Sequence, residues 1–165
     1  EAKPNAAHTY LAALEKTGKL KAVVTQNIDS LHERAGSQKV FKLHGNADRN
    51  YCLGCQRFYN LTDFLALEGP VPHCLDCGKV VKPDVTLYEE SLDMDVFSQA
   101  AQAIRQADLL IIGGTSLVVY PAASLVNYFS GTNLVLINKT SIPQDSQATL
   151  VIEGKIGEVF SKLRQ

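Results

Sequence analysis

The sequence predicts an α/β fold: a mostly parallel β-sheet with helices on both faces, interrupted by one small cysteine-rich module. Three observations predict it. Short runs of branched apolar residues alternate with stretches of helical period along most of the 165 residues, which is the pattern of strand–helix units laid into a parallel sheet. All four cysteines fall within residues 52–77, as two Cys-x2-Cys pairs. The residues that follow the strand-like runs are polar or glycine, and ligands of such sheets bind beyond the carboxyl ends of the strands.

Ala7, Tyr10, Leu11 and Leu14 recur at i, i+3, i+4 and i+7, so residues 5–17 read as an amphipathic helix, stopped by Gly18. Residues 21–25 (KAVVT) read as a short buried strand. A second helix over about residues 28–35 would bury Ile28, Leu31 and Ala35 and end at Gly36. Residues 40–43 (VFKL) form a second strand. The cysteine module follows, with a short helical stretch near residues 61–67. Ser91 then caps a helix whose apolar face is Leu92, Val96, Phe97, Ala100 and Ile104. Residues 109–112 read as the third and most buried strand. Pro121 opens another helix, since proline is tolerated in a first turn. Residues 134–137 and 149–152 are the fourth and fifth strands, and Ile156, Val159, Phe160 and Leu163 face a terminal helix.

Composition narrows the partners. A hydrophobic fraction of 45% is ordinary for a globular domain, and a net charge of -1 gives no bulk attraction to nucleic acid or an anionic membrane. No stretch approaches the apolar length of a membrane-spanning helix. Neither repeats nor low-complexity tracts are visible. The chain opens with Glu1 rather than Met, close to a helix, and reads as a piece of a longer protein.

Cys52 and Cys55, then eighteen residues, then Cys74 and Cys77 have the spacing of a four-thiolate zinc ribbon. Two disulfides would need an oxidising compartment, and no signal peptide is visible; the reading places the protein in the cytoplasm. His73 abuts Cys74, but four thiolates already complete the shell. A closed four-thiolate site leaves no position for water or substrate, so this zinc is structural. It contributes on the order of 10 kcal/mol to folding.

The strand ends carry the candidate chemistry. Gln26-Asn27-Ile28-Asp29 follows the first strand, His44-Gly45 the second, Gly113-Gly114-Thr115-Ser116 the third and Asn138-Lys139-Thr140 the fourth. Any one of these reads as ordinary cap and turn sequence. Four on one edge read as a shared polar site. The Gly113–Ser116 run suits close backbone approach to a phosphate or ribose. The G-x-G-x-x-G fingerprint is absent, so the first strand of a dinucleotide fold, with its glycine-rich turn, is expected upstream of Glu1. His44 is the acid/base candidate.

The runs TQNIDSLHERAGS (25–37), KLHGNADRNYCLGC (42–55), KPDVTLYEE (82–90), GGTSLVVYPAA (113–123) and LVLINKT (134–140) together resemble the sirtuins. These are NAD-dependent protein lysine deacylases with a Rossmann-like large domain and a zinc-ribbon small domain. The resemblance spans nearly the whole chain in order. It implies a Rossmann-like domain over residues 1–48 and 83–165 and a zinc ribbon over residues 49–82. It implies that His44 is the general base on a ribose hydroxyl, with Asn27 beside it in catalysis. Asn27, Ile28 and Asp29 would line the nicotinamide pocket, and Gln26 would contact the nicotinamide ribose. Gly114, Thr115, Ser116 and Asn138 would hold the adenosine half of NAD, with Ile156 near the adenine. Val85, Thr86, Leu87 and Tyr88 would pair with an acyl-lysine peptide as an added strand.

The chain departs from the family pattern at Ser30 (commonly Gly), Asn46 (commonly Ser), Tyr88-Glu89-Glu90 (commonly Phe-Gly-Glu) and Thr86 (commonly apolar). It lacks the family's pyrophosphate-binding glycine-rich loop. This chain alone is therefore expected to bind NAD weakly, to turn over little acyl-lysine and to self-associate through uncovered apolar surface. The alternative is a non-catalytic, zinc-bearing interaction fragment. A nucleic-acid-binding ribbon is disfavoured, because Arg49, Arg57, Lys79 and Lys82 are balanced by Asp48, Asp63, Asp76 and Asp84.

Overall fold

The computed structural model describes residues 2–163, so residue 1 and residues 164–165 of the expected Rossmann-like domain lie outside the described residues. Helix α1 (Ala6–Lys16) starts where Asn5 accepts the backbone N–H groups of Ala7 and His8. It ends at Gly18, whose φ of 74° suits a left-handed stop. Its inner face buries Ala7 and Ala12. Strands β1 (Val23–Thr25) and β2 (Val40–Lys42) pair in parallel, Val23 opposite Val40.

Helix α2 (Leu31–Arg34) links them and is shorter than the expected residues 28–35. The residues before it are spent on a turn. Asp29 Oδ1 accepts the Leu31 N–H at 3.0 Å, and the Ile28 carbonyl accepts the Ala47 N–H at 3.0 Å. Ile28, expected to be buried, is 41% exposed.

The cysteine module is a three-stranded antiparallel sheet in the order β4-β3-β5, formed by β3 (Gly45–Cys52), β4 (Phe58–Asn60) and β5 (Val81–Val85). The short α3 (Leu61–Leu65) follows β4. Helix α4 (Met94–Arg105) is capped by Asp93, which accepts from Asp95 and Val96, and not by Ser91. Its buried face is Phe97, Ala100, Ala101 and Ile104.

Strands β6 (Leu109–Gly113), β7 (Asn133–Asn138) and β8 (Leu150–Glu153) form a parallel sheet with β7 in the centre. The most buried strand is therefore β7, with Leu136 fully enclosed, and not β6, whose Leu109 is 49% exposed. Burial follows ladder position: β7 is paired on both sides, whereas β6 is paired only with β7 among the described residues. The segment after Pro121 is a 3-10 helix (Ala122–Tyr128). A second 3-10 turn (Pro143–Gln147) precedes β8, and α5 (Ile156–Ser161) closes the fold against α1, with Tyr10 edge-on to Phe160 at 5.4 Å.

The α/β class with parallel strands and an inserted cysteine module is thus the observed one, with one difference. The parallel strands form two sheets, β1-β2 and β6-β7-β8, and no ladder joins them among the described residues. Both lie on α4: Val24 and Phe41 from one sheet and Leu110 from the other pack against a cluster that includes Leu43, Phe97, Ala100 and Ile104. No helix among the described residues is long and apolar enough to cross a membrane.

Candidate functional site

His44 leaves the end of β2 partly buried. Its Nδ1 lies 2.9 Å from the Gln26 carbonyl. A carbonyl only accepts, so Nδ1 carries a hydrogen, and in the neutral ring Nε2 is the nitrogen with the lone pair. The turn that follows admits glycine alone. Gly45 has φ 81°, and a Cβ there would lie 2.1 Å from the Asp84 carbonyl oxygen. That close approach lets β3 pair Gly45 with Val85 of β5, while Thr86 N–H donates to the His44 carbonyl at 3.0 Å.

Gln26, Asn27, Ile28 and Asp29 lie on the loop after β1, within reach of His44 through the Gln26 carbonyl. Asn27, Ile28 and Asp29 are exposed. A polar network that the motif reading missed braces this loop. The Lys42 side chain is only 10% exposed, and its Nζ donates to the Asp29 carbonyl (2.6 Å) and Ser30 Oγ (3.0 Å) and pairs with Glu33 (3.0 Å). Ser30 Oγ donates to Asp48 at 2.6 Å and approaches Asn46 Oδ1 at 3.4 Å. Two of the departures from the family pattern therefore meet each other. The signal that pointed to Lys42 is its place two residues before His44, but a lysine there reads equally well as a solvated strand residue.

A second group of candidates meets at the other sheet. A cavity of about 730 Å³ is lined by Gly114, Thr115, Ser116, Asn138 and Ile156, together with Lys139. His44 and the 26–29 loop do not line it. Gly114 takes φ 67°. A Cβ on Gly113 would meet Ile156 Cδ1 at 2.3 Å, so the glycine lets Ile156 close over the end of β6. The Asn138 amide is bonded to the neighbouring loop. Its Oδ1 accepts the Thr115 N–H (3.1 Å) and its Nδ2 donates to the Thr115 carbonyl (2.8 Å). Asn138 holds the Gly114–Ser116 loop in shape by both ends of its amide.

Of the expected peptide-binding residues, Val85 ends β5, the edge strand of this sheet, whose outer side is bonded at its start, where the Val81 N–H donates to the Pro72 carbonyl at 2.9 Å. Thr86, Leu87 and Tyr88 continue past the strand, and Tyr88 is 95% exposed. Glu90 stabilises this stretch: its carboxylate accepts the Leu87 N–H (2.9 Å) and pairs with Lys82 (3.1 Å). These contacts hold its carboxyl below the usual carboxylate range, the Leu87 N–H foremost.

Cys52, Cys55, Cys74 and Cys77 converge so that all four sulfurs lie within 4.8 Å of one another. The Cys52–Cys77 and Cys55–Cys74 sulfurs are 3.4 and 3.6 Å apart. A disulfide needs about 2.05 Å, whereas a tetrahedron of sulfurs about 2.3 Å from a zinc ion has edges of about 3.8 Å. The donor set therefore fits zinc. Ionisation is unequal among the thiols. The Tyr59 hydroxyl, foremost, holds Cys74 down at about 6. At Cys55 the Arg57 N–H acts downward, but the crowding thiol of Cys77 and burial outweigh it and push the group up to about 12. Such a cluster ionises completely only when a cation neutralises it. His73 bonds the Val71 carbonyl through Nδ1 at 2.8 Å and stays outside the cluster.

Residues 1–121 match the Sir2 family. The NAD-dependent protein deacetylase of Clostridium perfringens (strain 13 / Type A) is 60% identical over 162 residues, covering 98% of this chain and 66% of the relative. That of Clostridium tetani (strain Massachusetts / E88) is 55% identical over 159 residues, covering 96% of this chain and 64% of the relative. The chain thus spans a little under two thirds of the curated relatives it matches first. Among solved structures, Sir2 bound to acetylated peptide superposes with a TM-score of 0.93 at 41% identity, covering 98% of this chain and 70% of that one. Sir2 with a p53 peptide and NAD+ gives 0.92 at 42%, covering 98% and 69%. With match, order of motifs and fold in agreement, the chain belongs to the Sir2 family.

Proposed function

We propose that this chain is the larger part of an NAD-dependent protein lysine deacylase. The observation that carries the reading is His44. Its Nδ1–H is tied to the Gln26 carbonyl, which leaves Nε2 available as a base beside the 26–29 loop. NAD, when bound, would supply the electrophilic ribose carbon that the acyl oxygen attacks as nicotinamide leaves, and the ribose hydroxyl that finally accepts the acyl group. Gln26, Asn27, Ile28 and Asp29 surround the nicotinamide end, and His44 Nε2 takes the proton of a ribose hydroxyl, a task worth about 10²–10⁴-fold. Gly114, Thr115, Ser116 and Ile156 line the adenosine cavity, with Asn138 shaping its loop. Val85 to Tyr88 offer main-chain groups to an extended acyl-lysine peptide. A set of reduced thiols gathered for zinc suits a reducing compartment such as the cytoplasm.

The two halves of this site lie on two sheets that do not join among the described residues. In the whole protein, a further strand with a glycine-rich turn would bridge them and hold the pyrophosphate. This chain alone then binds NAD weakly. Two experiments test the reading. Calorimetry of NAD against this chain and against a version extended upstream should show orders of magnitude between them; equal affinities would refute the bridging role. In the extended protein, His44→Ala should nearly abolish deacylation with the fold intact, and turnover close to normal would make His44 a structural histidine.

A further inference from the structure

We infer that Tyr59 is a positioning residue of the four-thiolate site, its hydroxyl holding Cys74 in place for the metal; the inference rests on the zinc assignment above. Tyr59 stands on β4, four residues beyond Cys55, and is 2% exposed. Its Oη lies 3.3 Å from Cys74 Sγ, and the Leu75 N–H donates to the same oxygen at 3.0 Å. A hydroxyl has one proton to give. With the oxygen accepting from Leu75, that proton is directed at the sulfur, in a setting where an unsatisfied O–H is costly.

The contact crosses between the two halves of the site. Cys52 is served from within its own turn, by the N–H groups of Gly54 (3.3 Å) and Cys55 (3.5 Å). Cys74 receives its hydroxyl from the strand that follows the first Cys-x2-Cys pair. Arg57 repeats the crossing: its guanidinium lies 5.1 Å over the Tyr59 ring and pairs with Asp76 in the second turn. Tyr59 therefore holds Cys74 Sγ where it meets Cys55 Sγ at 3.6 Å. It also stabilises negative charge on the sulfur once the thiol gives up its proton. Outer contacts of this kind are worth about 10–100-fold in metal affinity.

The experiment uses this chain with Zn2+ and, as a spectroscopic stand-in, Co2+. Tyr59→Phe keeps the ring and its packing but removes the hydroxyl. It should weaken zinc binding about 10–100-fold in chelator competition. It should also move the thiolate-to-cobalt charge-transfer band to longer wavelength, because sulfur lone pairs without the hydroxyl lie higher in energy. Val81→Ala, in the same buried cluster, loosens packing without removing a hydrogen bond to a sulfur; it should lower thermal stability and leave the band in place. Wild-type affinity and an unmoved band in Tyr59→Phe would overturn the inference, as would an equal band shift in Val81→Ala. Absence of metal uptake by the wild-type chain would overturn the zinc assignment itself, and the inference with it.

Discussion

Gly45→Ala places a methyl group at the tightest backbone approach beside His44. The added Cβ would stand 2.1 Å from the Asp84 carbonyl oxygen and 3.0 Å from both the Asp84 carbonyl carbon and Val85 Cα. Ordinary carbon–oxygen contacts stop near 3.3 Å, so β5 must withdraw by roughly 1 Å. The atoms that would have to move are backbone, so no side-chain rotation relieves the clash. Overpacking of this kind costs about 1–3 kcal/mol, and φ of 81° in a residue with a Cβ adds about 1–2 kcal/mol. The sum is about 2–5 kcal/mol, or a fall of roughly 4–20 °C in Tm for a chain of this length. Gly18→Ala separates the two contributions, since Gly18 has φ 74° but nothing within 4 Å of the added Cβ. Thermal denaturation followed by circular dichroism should show Gly45→Ala the more damaging by several degrees. Hydrogen exchange should locate the loss in β3 and β5. Equal Tm losses for the two variants would refute the clash and the reasoning that glycine is required there.

Zinc removal should unfold the cysteine module while the β6-β7-β8 sheet persists. Among the described residues the module's buried cluster is Cys52, Tyr59, Cys74 and Val81, with Phe64 and Leu67 packed against it, a small core against a structural zinc contribution on the order of 10 kcal/mol; hydrogen exchange with and without chelator checks this, and unchanged protection of β3 and β4 refutes it. Leu136→Ala removes a fully buried side chain from the central strand β7 and should cost about 2–5 kcal/mol in chemical denaturation. His8 and His32, whose rings lie 4.6 Å apart between α1 and α2, are both held below the ordinary histidine range, burial being the first cause in each. The unfolded chain therefore binds more protons than the folded one below about pH 6.5, and stability is full above that pH and falls as pH drops through it. In His32→Gln this acid loss should shrink, as read from denaturation midpoints across pH 5–8; an unchanged pH profile counts against the assignment.

Much of the fold is legible from local pattern. Ala7, Tyr10, Leu11 and Leu14 place α1, and the face of α4 is the one its apolar spacing gives, because helix periodicity is a short-range property. The cysteines are the clearest case: two Cys-x2-Cys turns carry their own geometry, and only their meeting point is a long-range matter. Boundaries moved where a side chain chose another partner. Asp93 rather than Ser91 caps α4, and the residues before α2 turn toward β3 instead of extending the helix.

The site divides along the same line. The residues that end the strands, His44 and the Gly114–Ser116 run among them, are marked by sequence, since a glycine or polar residue after an apolar run is a local signal. What each side chain does there is not local. Asn138 spends its amide on Thr115, 23 residues away, and Lys42 reaches across to Asp29 and Glu33. The sequence by itself determined the α/β class, the metal-binding spacing and the candidate base. Only the tertiary structure decided that β7 is the buried strand, that the parallel strands form two sheets, that Gly45 touches Asp84, and that Tyr59 reaches Cys74. The reason is physical: periodicity and capping act within a few residues along the chain, whereas ladder order, close approach and hydrogen-bond partners are settled by which distant segments share one core.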